Sequence, residues 1–472
     1  MTGRSEWLHA ADALRRDQDH GGAGVCGPQK GVSASGGHHA AAGREPARWP
    51  GGPGTSLFGD HTTTPLALLR RTALEHNAAV LRDYCRAHGV DLAPHGKTTM
   101  SPELGRLQLD HGAWGITAAT AWQAQVLRGF GVDRILLANE LVDPPGLRWA
   151  ARELEADAGF ELICYADSTD GVEIMTEVLT SSGFGGHVDV LVELGGPGGR
   201  TGCRTAAAAD AVCAAVARSP RLRLRGVAAF EGVWGRAADA PEQITRLLER
   251  VRATLAGLRD DGRLDGDAEA IVSAGGSAHF DRVVEVLAGD WPAVPPVRVV
   301  LRSGCYLTHD HGSYRALSPL DGQRVPGGLR PALEVWGRVL SHPEPGLAFA
   351  DVGRRDVSHD AGLPVVIARR PRPVGAAGAA GGGVGAGAGA VGGGDGAGGD
   401  GGGARGAALR EVAVTALNDQ HAYMRTPVPS PLAIGDLVGF GISHPCTTLD
   451  RWRVLPVVED DDTVAGFVRT CF

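Results

Sequence analysis

The central part of the chain, from about residue 75 to about residue 320, alternates between short apolar runs and longer amphipathic segments. The runs are rich in Val, Ile, Leu and Ala, the composition of strands buried on both faces. They predict eight strands, at Leu92–Lys97, Trp114–Ala119, Arg134–Asn139, Glu161–Ala166, Val188–Leu194, Leu224–Phe230, Ala270–Ala274 and Val297–Leu301. Helical segments separate them, among them Pro102–Asp110, Ala121–Gly129, Ala206–Ala217 and Pro241–Leu258. This alternation favours a closed (β/α)8 barrel of the TIM type. An open doubly wound sheet is the alternative, because periodicity does not establish closure.

After Asp310 the pattern changes to strands without long helices between them. The predicted strands are Leu333–Leu340, Gly346–Val352, Glu411–Leu417, Asp436–Gly441, Arg451–Val458 and Thr463–Arg469. The fold class is therefore α/β, with a barrel followed by a mostly β C-terminal domain. We place the barrel, with a leading strand, at residues 61–320 and the β domain at residues 321–472.

Two segments have a composition that does not support a packed core. Residues 1–60 are rich in Gly, Ala, Arg and His, and residues 374–408 are almost entirely Gly and Ala. Such sequences bury too little apolar surface to offset the entropy of ordering, so both are predicted to be disordered. Strand-like sequence at Pro364–Arg369 and Glu411–Leu417 flanks the second segment, which therefore is interpreted as a loop insertion in the β domain.

Charge and composition exclude some classes of function. The net charge is −8, with 46 basic and 54 acidic residues and no dominant block of either sign, which argues against a nucleic-acid-binding surface. No apolar run is long enough for a membrane span, and the N-terminus lacks the apolar segment of a signal peptide. The eight cysteines show no framework spacing, so we expect reduced thiols in a cytoplasmic protein.

Three candidate site residues or segments follow barrel strands, where barrel enzymes build their active sites. Lys97 ends the first strand; a desolvated lysine can attack a carbonyl, although a solvent-facing lysine is an equal alternative. Ser273–Ser277 forms a Gly-Gly-Ser turn before a helix, a place that suits a phosphate, although such turns are common in proteins. Arg200 lies in a glycine-rich loop and either binds an anionic group or is simply exposed.

The β domain contains the sequence Ser443-His444-Pro445-Cys446. In an extended segment residues i and i+2 point to the same side, so His444 and Cys446 make a plausible half of a zinc site. Spacing alone is weak evidence for a metal. Two protein ligands would leave positions open for water and substrate, as Lewis-acid catalysis requires.

Together these motifs resemble the fold-type III (alanine racemase-like) pyridoxal-phosphate family, most closely the eukaryotic-type zinc D-serine dehydratases, the D-threonine aldolases and related lyases. Pro94–Thr98 resembles the Pro-His-x-Lys-Thr motif, and Ser273–Ser277 the phosphate turn. The Arg200–Gly202 and Gly304–Tyr306 segments, the latter with Asp310, match further blocks, as do Gly353–Pro364, Asn418–His421 and His444–Trp452. Departures are Leu92, Ala93 and Thr99, and a Gly-Gly-Pro-Gly-Gly loop without the usual aspartate.

The resemblance implies cofactors and site residues. Lys97 would carry pyridoxal 5′-phosphate as a Schiff base, and the cofactor would be bound by His95, Arg200, Gly275, Gly276, Ser277 and Tyr306. His444 and Cys446 would bind Zn²⁺, or another divalent metal such as Mn²⁺. Family members are homodimers, so we expect a homodimer in which the β domain completes the site at the partner's barrel mouth, with neither nucleic acid nor membrane as a partner.

The implied reaction is deaminating dehydration of a D-3-hydroxy amino acid such as D-serine or D-threonine, giving a 2-oxo acid and ammonia. Cys446 favours this reaction, because dehydratases of the family have Cys where many aldolases have Asp. Retro-aldol cleavage to glycine and an aldehyde is the nearest alternative. A non-catalytic pyridoxal-phosphate-binding protein is a second alternative, and a racemase is disfavoured because a metal would have no task in it.

Overall fold

The computed structural model describes residues 52–59, 61–235, 237–264, 269–289, 291, 296–321, 324, 328–372 and 407–472. Eight parallel strands form one sheet in the order β2-β9-β8-β7-β6-β5-β4-β3. Their bounds are β2 Asp91–Leu92, β3 Ile116–Ala118, β4 Arg134–Glu140, β5 Glu161–Ala166, β6 Val188–Leu194, β7 Leu222–Ala229, β8 Ala270–Ser273 and β9 Val297–Leu301.

The two ends of this sheet meet. The amide of Trp114 donates to the carbonyl of Leu92 over 2.7 Å, and the amide of Thr117 donates to the carbonyl of Pro94 over 2.9 Å. These bonds join the segment of β2 to that of β3, so the predicted barrel is confirmed and the open-sheet alternative is wrong.

The barrel has two separate hydrophobic cores, one inside the barrel and one between the strands and the surrounding helices. Because alternate residues of a strand point to opposite faces, one set packs in the lumen and the other under the helices. The buried lumen residues are Ala93, Leu136, Ile163, Tyr165, Leu191, Ala228, Ile271 and Val300. The lumen is therefore a packed core, and room for chemistry exists only at its mouth.

Helices surround the barrel and begin at well-defined caps. Their bounds are α1 Arg71–His88, α2 Pro102–Asp110, α3 Ala121–Gly129, α4 Pro144–Ala156, α5 Thr169–Ser181, α6 Ala206–Arg218, α7 Ala240–Asp260, α8 Phe280–Leu287 and α9 Ser313–Leu317. Five side chains accept a hydrogen bond from a backbone amide of the first turn, which is the role of an N-cap: Ser101, Thr120, Asp143, Ser168 and Thr205. None of the helices in the described part of the chain is long and apolar enough to cross a membrane.

The C-terminal domain is a second sheet. Its strands are β10 Leu333–Glu344, β11 Leu347–Ala350, β12 Val365–Arg370, β13 Ala413–Leu417, β14 Ala422–Arg425, β15 Leu437–Gly441, β16 Val454–Val458 and β17 Val464–Arg469, with a short helix α10 at Cys446–Leu449. An additional strand, β1 at Leu66–Arg70, pairs antiparallel with β10 and parallel with β16. The leading strand thus belongs to this sheet, as the sequence predicted.

Two expectations about the ends of the chain need correction. Residues 52–59, predicted as part of a disordered tail, pack on the β domain: Leu57 is fully buried and its amide donates to the carbonyl of Asp462. Apolar Leu57 and Phe58 fill a gap beside Trp336 that the composition of the tail does not reveal. Six described cysteines are free, but Cys471 is disulfide-bonded, so the expectation of reduced thiols is wrong for Cys471. Most of the Gly/Ala-rich segment, residues 373–406, lies outside the described residues.

Candidate active site

Lys97 lies at the mouth of the barrel, in a turn after the first barrel strand and not at the end of the strand itself. The strand β2 ends at Leu92, and Lys97 is the middle residue of a 3-10 turn, Gly96–Thr98. Pro94 cannot donate to a strand ladder, so the chain leaves the sheet there. The side chain of Lys97 starts from this turn at the rim of the barrel and is partly exposed.

A second motif packs directly on the Lys97 turn. A Cβ atom placed on Gly304 would be 2.8 Å from Cβ of His95 and 2.8 Å from Oγ1 of Thr98. Only glycine permits so close an approach of two backbones. The structure therefore brings together the Pro94–Thr98 and Gly304–Tyr306 segments, which follow the first and the last strand of the barrel.

Lysine is nearly absent from this chain. Of its 46 basic residues, 44 are arginine, and the two lysines are Lys30 and Lys97. Lys30 lies outside the described residues. Arginine serves for salt bridges and surface charge, but its guanidinium does not replace a primary amine as a nucleophile toward a carbonyl. Retention of a lysine at the barrel mouth therefore indicates amine chemistry.

The mouth is rich in positive charge. The enclosed imidazole of His95 has a pKa well below its usual value, because of burial and of the charges of Lys97, Arg302 and Arg200. His95 is therefore neutral at physiological pH. The guanidinium of Arg200 lies 4.4 Å from the ring centroid of Phe230, just beyond β7.

Arg302 is a site residue that the sequence analysis missed. It is 4% exposed, and its guanidinium donates to Oγ of Ser273 and to the carbonyl of Ala229. Both partners are neutral, and no ion pair found among the described residues includes it. A buried cation without a carboxylate partner is costly, so the mouth fits an anionic group such as the phosphate or the phenolate of the expected cofactor.

The predicted phosphate turn is an anion-binding turn, but its first two amides are already used. The amides of Gly275 and Gly276 donate to the carboxylate of Glu231 over 3.0 Å and 2.6 Å, and Glu231 is fully buried. Gly275 has a φ of +90°, which favours glycine. In this structure Glu231 therefore occupies the amides of Gly275 and Gly276, two residues that were predicted to bind the cofactor. Ser277 is the remaining residue of the turn with that prediction.

The loop that carries Arg200 is held by another arginine. The guanidinium of Arg204 donates to the carbonyls of Gly199, Arg200, Thr201 and Gly202. Four carbonyl acceptors on one side chain fix the path of a loop whose glycines would otherwise leave it free. Arg200 is therefore placed by Arg204, although its own side chain is exposed.

In the β domain, His444 and Cys446 form a polarised pair. Nδ1 of His444 lies 2.7 Å from Oδ2 of Asp360, and Oγ1 of Thr447 donates to the other oxygen of Asp360. Hydrogen bonds from Cys305 and His444 lower the pKa of Cys446 to about 4, against burial, which raises it. The hydrogen bond with Cys446 and the one with Asp360 raise the pKa of His444 to about 9.

This pair fits a metal ion chemically. A thiolate and an imidazole are preferred zinc ligands, and a carboxylate on one imidazole nitrogen commonly orients the other nitrogen toward the metal. Ser358 and Asp360, from the Gly353–Pro364 block, support the pair: the amide of His444 donates to Oγ of Ser358. The donor set is thus that of a metal site with an oriented imidazole.

The metal motif reaches the barrel of its own chain. Sγ of Cys446 lies 3.5 Å from Oγ1 of Thr98, the residue after Lys97. In this structure the β domain therefore already contacts the barrel mouth of the same chain. The assignment of Lys97, His444 and Cys446 to one site stays a prediction, and so does the homodimer.

Tyr306 does not lie at this site. Its hydroxyl accepts a hydrogen bond from Gln108 on α2, and its ring is buried in the outer core beside Cys85 on α1. The chain after Gly304 turns the side chain of Tyr306 into the outer core, so the structure does not bring it to the mouth, and its cofactor contact stays a prediction. Asp310 of the same block caps α9 by accepting hydrogen bonds from the amides of Gly312, Tyr314 and Arg315.

Three acidic side chains at the mouth were also missed. Glu140, Asp167 and Glu193 follow or end adjacent strands β4, β5 and β6, and their oxygens lie within 4.8 Å of one another. Burial, and then the charges of Glu193 and Asp167, raise the pKa of Glu140 to about 8. We therefore expect Glu140 to keep its proton at neutral pH. Each residue comes from a different strand, so no sequence motif reveals the cluster.

Comparisons with known proteins agree with this geometry. Residues 69–292 match the family model described as "Alanine racemase, N-terminal domain", and residues 332–458 match the one described as "Putative serine dehydratase domain". The two matches correspond to the barrel and the β domain, and Lys97 with its phosphate turn lies in the first. The chain belongs to the fold-type III pyridoxal-phosphate enzymes. Pyridoxal phosphate is thus its cofactor.

Relatives with assigned activities are lyases, and this chain is a lyase of the same family. A 3-hydroxy-D-aspartate aldolase of Paracoccus denitrificans (strain Pd 1222) is 27% identical over 65% of this chain and 76% of its own length. A D-threonine aldolase of Arthrobacter sp. is 27% identical over 67% of this chain and 78% of its own. A D-threo-3-hydroxyaspartate dehydratase of Delftia sp. (strain HT23) is 28% identical over 63% and 73%.

Solved structures show the same fold. A D-threonine aldolase from Filomicrobium marinum superposes with a TM-score of 0.66 at 23% identity, over 87% of this chain and 96% of that chain. The Delftia dehydratase superposes with a TM-score of 0.63 at 22% identity, over 86% and 97%. A cysteine-to-alanine mutant of that dehydratase is described in a metal-free form, which associates a metal with that enzyme.

Proposed function

We propose that this protein is a metal-assisted deaminating dehydratase of D-3-hydroxy amino acids such as D-serine or D-threonine, with a 2-oxo acid and ammonia as products. The observation that carries the proposal is the contact of the predicted metal motif with the Lys97 turn: Sγ of Cys446 lies 3.5 Å from Oγ1 of Thr98, the residue after Lys97. The relatives named above support this substrate class, because their names describe aldolases or a dehydratase of hydroxylated D-amino acids.

The mouth offers a place for each part of the cofactor. Lys97 is the proposed attachment point, and Arg302, Arg200 and Ser277 are the proposed groups around its anionic parts. Neutral His95 fills the side of the mouth next to Lys97 without adding charge. When bound, pyridoxal phosphate supplies a ring that accepts the negative charge developed at the substrate Cα.

Lys97 is also the proposed base. Once its amine is released by the incoming amino group of the substrate, it is free to take the Cα proton on the same side of the mouth. The chain contains no second lysine among its described residues that could do this. Removal of Lys97 should therefore abolish both attachment and proton transfer.

His444 and Cys446 are the proposed metal ligands. A zinc or manganese ion bound there would supply Lewis acidity toward the β-hydroxyl oxygen of the substrate. Asp360 and Thr447 would hold the imidazole in place for that ion. The role of this chain's residues is thus to present an electrophilic group opposite Lys97.

Retro-aldol cleavage is the second candidate, and a specific observation favours it: two of the three relatives above are aldolases. Both reactions use the same base and the same metal ligands, and differ in whether the β-oxygen leaves or loses its proton. Cys446 supports elimination, since the resemblance associates Cys at this place with dehydratases. A non-catalytic carrier is disfavoured, because it would need neither His444 nor Cys446.

Product analysis with D-threonine tests the proposal, because both reactions are open to this substrate. The pure holoenzyme is incubated with D-threonine and Zn²⁺, with L-threonine as the stereochemical control. We expect 2-oxobutanoate and ammonia from D-threonine only. Glycine and acetaldehyde would establish the aldolase instead, and protein that binds the cofactor but forms neither product would establish the carrier.

A further inference from the structure

A third thiol lies beside the proposed metal ligands. Sγ of Cys305, in the segment after β9, is 3.9 Å from Sγ of Cys446 at the start of α10. The two sulfurs come from different domains and are 141 residues apart in sequence. Neither the predicted metal motif nor the predicted cofactor set includes Cys305.

The sulfur–sulfur distance matches that of two thiolates on one ion. Zinc binds thiolate sulfur at about 2.3 Å in tetrahedral geometry, which places two such sulfurs about 3.8 Å apart. A disulfide would bring them to about 2.05 Å. The observed 3.9 Å is therefore too long for a covalent bond and suitable for a shared metal.

The barrel places Cys305 without help from the β domain. The close packing of Gly304 on His95 and Thr98 fixes the preceding residue, and the amide of Cys305 donates to Oγ of Ser277 over 3.4 Å. Oγ1 of Thr98, in the same wall, lies 3.5 Å from Sγ of Cys446. Cys305 thus belongs to the wall of the mouth, and Cys446 is brought to it by the β domain.

We propose that Cys305 is the third protein ligand of the metal, together with Cys446 and His444. The proposal rests on the proposed metal-assisted function. Two thiolates and one imidazole are the ligand set of catalytic zinc sites that keep a position open for substrate. In the described residues the one three-residue group already within 4.8 Å is Glu140, Asp167 and Glu193, so His444 must turn toward the sulfurs when the ion binds.

This ligand set has a consequence for the choice of metal. Two thiolates are soft ligands that favour Zn²⁺ and Co²⁺ over Mg²⁺ and Mn²⁺, which prefer oxygen. A site with this ligand set would therefore hold Zn²⁺ more firmly than Mn²⁺. It also joins the two domains through the ion, because one thiolate comes from each.

The test is titration of metal-free protein with Co²⁺ under reducing, anaerobic conditions, with the cofactor bound. Thiolate ligands of Co²⁺ give a charge-transfer absorption whose intensity grows with the number of sulfurs. Wild type is compared with Cys305→Ser, with Cys446→Ser and with Cys213→Ala, a buried thiol on α6 that serves as the control. Cofactor absorbance and the unfolding temperature report whether each variant is folded.

We expect Cys305→Ser to keep the cofactor, to lose about half of the charge-transfer intensity, and to bind Zn²⁺ at least about tenfold more weakly. Cys446→Ser should show a similar loss, and Cys213→Ala none. If Cys305→Ser keeps the full intensity and affinity, the two sulfurs make a contact only, and the proposal is overturned while the proposed function stands. If wild type binds no metal, the metal role in the proposed function fails as well.

Discussion

Asp360 determines which nitrogen of His444 is available to a ligand. Its carboxylate lies 2.7 Å from Nδ1 of His444, and Thr447 holds the carboxylate from the other side. Nε2 is therefore the nitrogen of the imidazole that remains available to a ligand. A residue outside the predicted ligand set would thus control the geometry of the proposed metal site.

Replacement of Asp360 by Asn should weaken metal binding without removing a ligand. We expect Asp360→Asn to lower the affinity for Zn²⁺ by about 10- to 100-fold, because the orientation and basicity of the imidazole both suffer. The measurement is competition with a chromophoric chelator. Asp450→Asn is the matched control, since Asp450 pairs with Arg451 at the surface. Equal affinities in the two variants would contradict the orienting role of Asp360.

The protonated carboxyl of Glu140 makes stability depend on pH. Its pKa is raised from 4.5 to about 8 by burial and by Glu193 and Asp167. Between these two pH values the folded protein keeps a proton that the unfolded chain releases. The contribution of Glu140 to stability is therefore lost progressively as the pH rises through this window.

Glu140→Gln, which stays neutral, should reduce this dependence. On going from pH 5 to pH 8.5 we expect the variant to gain about 1–2 kcal/mol in unfolding free energy relative to wild type, after allowance for partial solvent screening. Urea unfolding at the two pH values measures it. Glu173→Gln, at an exposed position of α5, is the control. A parallel pH profile in Glu140→Gln and wild type would show that no proton is shared in the cluster.

Single residues could be predicted from the sequence where they stand in a short motif. Lys97, His444 and Cys446 were predicted in this way, and in the structure Sγ of Cys446 lies 3.5 Å from Oγ1 of Thr98, the residue after Lys97. Arg302, Glu231 and Glu140 were not found, because their roles depend on partners from other strands. Tyr306 was predicted to contact the cofactor, but in the structure its hydroxyl bonds to Gln108, since a motif does not show on which side of the chain a side chain lies.

At the scale of elements, the site depends on the contact between the Lys97 turn and the Gly304 segment. No space exists for a side chain at Gly304, whose Cβ would lie 2.8 Å from atoms of His95 and Thr98. A larger residue must push the Lys97 turn out of place. The geometry of the amine is therefore set by a glycine in a different βα unit.

Gly304→Ala should accordingly damage both stability and activity. We expect a loss of about 1–3 kcal/mol in unfolding free energy from overpacking, and a clear fall in kcat with D-threonine. Gly105→Ala on α2 is the control, because no atom lies within 4 Å of the added carbon and alanine stabilises a helix interior by about 0.5–1 kcal/mol. Urea unfolding and initial rates measure both effects. A Gly304→Ala protein as stable and active as Gly105→Ala would refute the packing argument.

Elements with a clear apolar run were predicted at their observed bounds. Glu161–Ala166, Val188–Leu194 and Val297–Leu301 agree residue for residue. The first barrel strand was predicted too long, since Pro94 ends it and the 3-10 turn follows. Strand β14 was not predicted, because its four residues are too few to show alternation.

At the scale of the whole molecule, the two domains meet at the active site. The amide and guanidinium of Arg469 in β17 donate to Glu103 at the start of α2, and the amide of Cys471 donates to the carbonyl of Met100. These bonds lie a few residues from Lys97 in the chain. They hold the β domain in the position in which Cys446 contacts Thr98.

The composition of the whole chain makes the central claim unusually easy to test. Only Lys30 and Lys97 can carry the cofactor. Reduction of the holoenzyme with borohydride makes the link between lysine and pyridoxal permanent, and peptide mass spectrometry then locates it. We predict one phosphopyridoxyl group per chain, on Lys97, and none in Lys97→Arg. A group on Lys30, or a holoenzyme of Lys97→Arg that keeps its cofactor link, would contradict the account.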